Sequence, residues 1–327
     1  MNYGVIGTSD ITIRFIESAQ ETTDFNLTSV YSRSYDKAKQ FADRFNAPAV
    51  YTDLNEMANS DQVDIVYIAS PNSLHFEQVK LFLRHKKHVI CEKPIFSNLY
   101  EWQAAFQLAD ENGVFLFEAA RNIHAPNFKR LKENVHRIGK IRSAVLSYMK
   151  YSSRYDLVLK GEEPTIFSLK FSGGALVDLG VYPIFAAVSL FGVPKKVTYF
   201  PVIIATGVDG SGTLILEYDG FVCTILCSKI VNADLPCEIH GEAGTIAFNH
   251  IAPPTKIEYK DRLTGGTEEL AIPQKELDMV YEIEAFKEII ENQDRERYEE
   301  LGRISEAVLR ITEEARRQNG IVFGVER

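Results

Sequence analysis

The first 118 residues alternate between short apolar runs and amphipathic stretches, and this rhythm limits the fold more than any other feature of the chain. Runs at 2–6, 25–31, 63–69, 88–90 and 114–118 read as strands. Between them, apolar residues recur at helical spacing: Ile11, Phe15, Ile16 and Ala19, then Ala38, Phe41, Ala42 and Phe45. Further helices are expected from Ser73, as cap, through Arg84 and over 98–111. Strands that alternate with helices predict a doubly wound parallel sheet. Its right-handed crossovers bring the turn after each strand to one edge.

After residue 140 the rhythm changes. Strand-like stretches follow at 141–151, 195–204, 212–218, 221–231, 237–240, 244–248, 255–260 and 268–272, separated by Gly, Pro and Asp-Gly turns. They read as one antiparallel sheet, one face on helices and the other exposed or used in association. Helices are expected at 176–190, 278–292 and 299–318, with Gly320 as a C-terminal stop. At 327 residues the chain is long enough for two domains. The reading is α/β, with a Rossmann domain over 1–120 and an α+β domain with a large, mostly antiparallel open sheet over 121–327. The closing helix, 299–319, is expected to pack back on the first domain.

A net charge of −9 gives no attraction to nucleic acid or anionic membrane. No run of about 18 apolar residues is read as a membrane span, and the start lacks a signal-peptide pattern. Cysteines 91, 223, 227 and 237 form no Cys-x-x-Cys pair. They read as structural thiols rather than metal ligands, which suits a reducing cytoplasm.

The turns carry the chemistry. Gly7-Thr8-Ser9-Asp10-Ile11 joins the first strand to the first helix, and a turn of this kind aims backbone N–H groups and the positive helix end at one place. A full dinucleotide fingerprint has three glycines. Here Gly7 is present, Ser9 stands at the second position and Thr12 at the third. Thr8 and Ser9 can donate to a phosphate, and Asp10 is read as the N-cap. The second strand ends in Ser32-Arg33-Ser34 with no acid. An acid there would bind the ribose hydroxyls of NAD, whereas an arginine accommodates the extra phosphate of NADP. Ser70, Pro71, Asn72 and His75 follow the 63–69 strand and are expected at the same crevice, His75 either touching ligand or packed in its helix. Cys91-Glu92-Lys93-Pro94 ends the next strand, and Pro94 stiffens the backbone after Lys93.

A second constellation lies in Gly173-Gly174-Ala175-Leu176-Val177-Asp178-Leu179-Gly180-Val181-Tyr182. Asp178 and Tyr182 at i and i+4 share one face of an otherwise apolar helix, and each must find a polar partner. A phenol near an ammonium can pass a proton to or from a substrate hydroxyl.

Taken together, Gly4-Val-Ile-Gly-Thr-Ser, Ser70-Pro-Asn-Ser-Leu-His75, Cys91-Glu-Lys-Pro94, the Gly173 to Tyr182 run and the ending Gly320-Ile-Val-Phe323 resemble the glucose-fructose oxidoreductase, inositol 2-dehydrogenase and rhizopine catabolism protein family. The resemblance spans almost the whole chain. It implies NAD(P)-dependent oxidation or reduction of a sugar, polyol or diol, with hydride moving between the substrate carbon and nicotinamide C4. It implies that Lys93 is the catalytic or substrate-orienting lysine and that Asp178 belongs to the site. Tyr182 replaces a frequent histidine and looks like the branch of dihydrodiol and xylose dehydrogenases. On this reading Tyr182 exchanges the proton, Lys93 holds the substrate oxygen and tunes the phenol, and Asp178 binds a neighbouring hydroxyl or orients Lys93. Pro71, Asn72 and Glu92 shape the nicotinamide pocket. NADP is favoured over NAD by Arg33. A homodimer or homotetramer through the C-terminal sheet is expected. The alternative is a non-catalytic sensor of NAD(P) and sugar on the same fold. The loop 152–164, with Arg154, Tyr155, Lys160 and Glu162, is expected to border the substrate.

Overall fold

A computed structural model describes residues 1–327 as two compact units. The first comprises Met1–Ala119 and Lys275–Gly302. Its six strands are β1 (Asn2–Ile6), β2 (Asn26–Tyr31), β3 (Ala49–Tyr51), β4 (Ile65–Ile68), β5 (His88–Glu92) and β6 (Leu116–Ala119). They are all parallel, in the order β3-β2-β1-β4-β5-β6. The order reverses between β1 and β4, so the carboxyl ends of β1, β2 and β4 border the crevice where such sheets bind ligands. Helices cover both faces, and the central strands are accordingly apolar throughout, as in Ile65-Val66-Tyr67-Ile68, all buried.

Two elements of this sheet escape the sequence pattern. Strand β3 and the helix Leu54–Ala58 after it are too short to develop a period, and β3 is an edge strand with no fully buried residue. The last part of the core comes from the far end of the chain. Met279, Ile283, Phe286, Ile289 and Tyr298 pack with Tyr3, Phe15, Tyr67 and Phe117. Asp278, 2% exposed, is fixed by the Arg14 guanidinium at 2.7 Å.

The second unit comprises Ala120–Gln274 and Arg303–Arg327. Its strands are β7 (Ile141–Met149), β8 (Lys196–Ile203), β9 (Asp209–Tyr218), β10 (Phe221–Ser228), β11 (Cys237–Gly241), β12 (Gly244–Phe248), β13 (Ile257–Asp261) and β14 (Thr267–Glu269). They form one sheet in the order β14-β13-β12-β11-β7-β10-β9-β8. The sheet departs from a purely antiparallel one at β7 and β10, which are parallel from Val222↔Ser143 to Ser228↔Met149. No hairpin can join parallel strands; the chain leaves β7, passes through the helix Val181–Phe191, and re-enters by β8 and β9.

That helix packs on the inner face among Ala144, Leu146, Leu214, Leu216, Cys223, Ile225 and Cys227. All four cysteines are free and buried. Within Leu169–Phe191 an 18-residue window has a mean hydropathy of 1.8, long and apolar enough for a membrane span by length and composition alone, an apolar run that the sequence reading did not pick out; 72% of that window is buried inside the protein, where it belongs to the core of the second unit. The expected helix over 176–190 is also two pieces, a π-helical turn Leu176–Gly180 and then Val181–Phe191. The closing helix is longer than expected, Arg295–Arg317. Its Tyr298 joins the core of the first unit, and its Ala307, Val308, Ile311 and Ala315 join that of the second.

Candidate active site

In the first unit a cavity of about 330 Å³ opens at the reversal of strand order. Gly7, Thr8 and Ser9 form one wall, Ser70, Pro71, Leu74 and Gln78 another, and Tyr31, Ser32, Arg33 and Lys37 the end. Gly7 has φ +111°, and a Cβ there would stand 2.6 Å from the Ala69 carbonyl oxygen, so this position requires glycine. The helix N-cap is Ser9, not Asp10 as the sequence suggested; Asp10 is the first helical residue, where a carboxylate favours the helix dipole. The Ser9 side chain makes no capping hydrogen bond, which leaves the first-turn N–H groups unbonded by it. Thr12, at the third glycine position, is fully buried, with its hydroxyl 3.5 Å from that of Ser9.

The end wall is cationic. Arg33 and Lys37 are exposed, and the lining carries no carboxylate. Lys37 was missed by sequence reasoning. The signal was there: a lysine in the first turn of the helix Tyr35–Phe45 opposes the helix dipole and needs another reason to stand there. A glycine-dependent turn, an open helix end and a hydroxyl-rich wall ending in two cations fit a dinucleotide with a terminal phosphate on its ribose.

The remaining residues expected at this crevice fall beside the cavity. Asp10 and Ile11 start the helix behind it, and Asn72 opens a short 3₁₀ turn, Asn72–Leu74. His75 is fully buried, with Nε2 2.9 Å from the Ser70 carbonyl oxygen and Nδ1 3.1 and 3.2 Å from those of Pro94 and Ile95. It ties the turn after β4 to the turn after β5. Burial lowers its pKa, against the opposing effect of the three carbonyls. Glu92 is also buried: Tyr67 donates to it at 2.6 Å, and it accepts from the Lys93 backbone N–H at 3.2 Å. Lys93, partly exposed, therefore leaves the sheet on a backbone fixed by Glu92 on one side and by a bond from Ile95 N–H to Glu118, 3.0 Å, on the other.

In the second unit, Asp178 and Tyr182 stand on the π-helical turn and the helix after it. The Asp178 carboxylate is bonded to the Lys229 ammonium. Lys229 is 2% exposed, whereas the Asp178 side chain is 32% exposed. Tyr182 is 6% exposed, and the Arg121 guanidinium lies 5.5 Å from its ring. Tyr148 packs against Tyr182 at 5.5 Å and against His250 at 5.0 Å. Asn122 donates to the Tyr182 carbonyl oxygen at 3.0 Å. The acid and phenol thus sit within a set of polar and aromatic side chains, of which Arg121, Tyr148, Lys229 and His250 were not read from the sequence. In the loop expected to border the substrate, Tyr155 begins a short helix, Tyr155–Leu159, and Arg154, Lys160 and Glu162 are exposed.

Comparison with known proteins follows the same division. The oxidoreductase-family model of an NAD-binding Rossmann fold, GFO/IDH/MocA, matches residues 1–120. The C-terminal domain model of that family matches residues 128–247. The chain is 46% identical over 323 residues to the scyllo-inositol 2-dehydrogenase (NADP(+)) of Bacillus subtilis, covering 99% of this chain and 98% of that protein. It is 28% identical over 338 residues to the trans-1,2-dihydrobenzene-1,2-diol dehydrogenase of Mus musculus, covering 99% and 98%. Among solved structures, a mutant 3-ketoreductase from Actinomadura kijaniata in complex with TDP-benzene and NADP superposes with a TM-score of 0.84 at 25% identity, over 97% of both chains. With both of its domains matched and its relatives aligned from end to end, the chain belongs to the GFO/IDH/MocA family of NAD-binding oxidoreductases.

Proposed function

We propose that this protein is an NADP-dependent dehydrogenase of a secondary alcohol on a cyclic polyol, with scyllo-inositol the first substrate to test. The observation that carries the cofactor choice is the cavity end, where Arg33 and Lys37 stand beside Tyr31 and Ser32 with no carboxylate. The substrate class rests on the 46% identical relative named for scyllo-inositol. Gly7, Thr8, Ser9 and the helix start at Asp10 and Ile11 hold the pyrophosphate; Ser32, Arg33 and Lys37 hold the ribose phosphate. The nicotinamide, when bound, takes or gives the hydride. Ser70, Pro71, Asn72 and Glu92 border it, and His75 supports their backbone. Tyr182 gives or takes the hydroxyl proton, and Lys93 hydrogen-bonds the same oxygen. Asp178 accepts from a neighbouring hydroxyl. Association through the outer face of the eight-stranded sheet and a reducing cytoplasmic setting for the four free thiols complete the reading.

Following nicotinamide absorbance with NADP⁺ and a panel of inositols, sugars and diols tests it. Reduction with scyllo-inositol or another cyclic polyol is expected. Tight NADP⁺ binding with no turnover on any of them would replace the enzyme by a sensor. R33A and K37A are each expected to weaken NADP⁺ binding by about tenfold, the value of one hydrogen bond to a charged group, and to leave NAD⁺ binding unchanged. Tighter NAD⁺ than NADP⁺ binding, unaltered in R33A, would refute the cofactor choice.

A further inference from the structure

Beneath the Asp178–Tyr182 stretch lie two buried charged residues, Lys229 and Asp209, that the reading above leaves without a role. Lys229 follows β10, and its N–H donates to the Gly210 carbonyl oxygen of β9 at 2.8 Å. Its side chain is 2% exposed. A lysine so buried is costly unless its charge is met. The ammonium bonds Asp178 and lies 4.9 Å from the centre of the Phe167 ring. The residue before Gly210 is Asp209, 1% exposed. One Asp209 oxygen accepts from Tyr199 O–H and from the backbone N–H of Leu176, both at 2.7 Å. Leu176 is the first residue of the π-helical turn that carries Asp178. The other oxygen of Asp209 has no hydrogen-bond partner and faces Gly174, where any Cβ would collide with it.

Two buried groups of opposite charge thus grip the same short segment. Asp209 receives the N–H at its start, and Lys229 receives the carboxylate two residues on. The gripped carboxylate is the more open partner, 32% exposed against 2% for Lys229. Neither buried group can reach a ligand at that degree of burial, so any effect on substrate passes through Asp178. The glycine pair also gains a reason: Gly174, at φ +139°, lets the chain pass over Asp209 into the turn.

We propose that Lys229 and Asp209 are positioning residues for Asp178: Asp209 seats the turn at Leu176, and Lys229 aims the Asp178 carboxylate at a substrate hydroxyl. This rests on the assignment of Asp178 to substrate binding. A positioning role predicts a selective loss. K229M and D209N are compared with the wild type for NADP⁺ affinity by fluorescence titration, and for kcat and KM on scyllo-inositol. K229M is expected to raise KM by about tenfold, the value of one hydrogen bond to a charged group, with kcat little changed and NADP⁺ affinity intact. D209N raises KM in the same direction, and it carries the test if K229M does not fold. An unchanged KM in a folded variant, or a joint fall in kcat and cofactor affinity, overturns the proposal. If the wild type itself does not turn over scyllo-inositol, the functional reading is what has failed. The positioning is then read from the ¹³C resonance of the Asp178 carboxyl, assigned with D178N. A shift of that resonance in K229M supports the pairing, and an unmoved resonance overturns it.

Discussion

At the scale of residues, the proposed chemistry divides between a lysine at the end of β5 and a phenol in the second unit. On that proposal, Y182F removes the proton donor while leaving the ring against Arg121 and Tyr148, and K93A removes the cation proposed to hold the substrate oxygen. Each is expected to lower kcat on the order of 100-fold, the usual range for a general acid–base group, with NADP⁺ affinity retained. Steady-state rates beside cofactor titrations check this, and near-normal turnover in both variants would remove these roles. Lys93 could be singled out from the sequence because proline and glutamate flank it. Lys229 could not, although its signal was present. Cys223, Ile225 and Cys227 alternate on the buried face of β10, and the same period of two carries on to residue 229. A lysine on the inward side of such a strand announces a buried charge, but its partner Asp178 is 51 residues away and cannot be found from spacing.

At the scale of elements, the Asp209 carboxyl at the start of β9 gives a pH signature. Burial raises its pKa to about 6, against the lowering effects of the Tyr199 and Leu176 hydrogen bonds and the Lys229 charge. Above pH 6 the folded state carries this group as a buried anion. As pH falls from 6 towards the ordinary carboxyl value, the folded state takes up the proton before the unfolded state does, so the group's contribution to stability improves. The gain is roughly 3 kcal/mol, from about two pKa units at 1.36 kcal/mol each. D209N lacks it. Denaturation at a series of pH values is expected to show the wild type gaining on D209N between pH 7 and 4, and a constant difference would contradict the buried-anion account.

The elements themselves were legible where their period is long. The first strand, the helix after it and the alternation on β9 and β10 follow from apolar spacing. What escaped did so for physical reasons. β3 is three residues long. The β7–β10 pairing depends on a crossover rather than on anything local. The π-helical turn keeps Asp178 and Tyr182 close to one face, so an α-helical reading of the same spacing gives nearly the same side-chain direction and hides the difference.

At the scale of the whole molecule, the outer face of the eight-stranded sheet is the surface to test. Phe200, Val202 and Val222 are exposed on it, at 61, 54 and 40%. Apolar side chains on an open sheet favour association. Light scattering coupled to gel filtration is expected to give a dimer or tetramer for the wild type. F200E/V202E is expected to shift it to smaller species, and a monomeric wild type would end the proposal. The two-unit plan was readable from the change of rhythm near residue 140. The return of Lys275–Gly302 to the first unit is specified by the apolar face of Ile283, Phe286 and Ile289, a pattern that identifies a helix but not the surface it covers.

That return has a consequence for how the chain is made. A ribosome delivers β1 to β6 within the first 119 residues, yet Met279, Ile283, Phe286, Ile289 and Tyr298, which complete the core around Tyr3, Phe15 and Phe117, emerge only after another 150 or more. Domains usually fold as units in the order they leave the ribosome. Here the nascent nucleotide-binding sheet must wait with an uncovered apolar surface while all the strands of the second unit are synthesised. The step most exposed to chaperones and to aggregation therefore begins once about a third of the chain has been made and lasts for about half of translation.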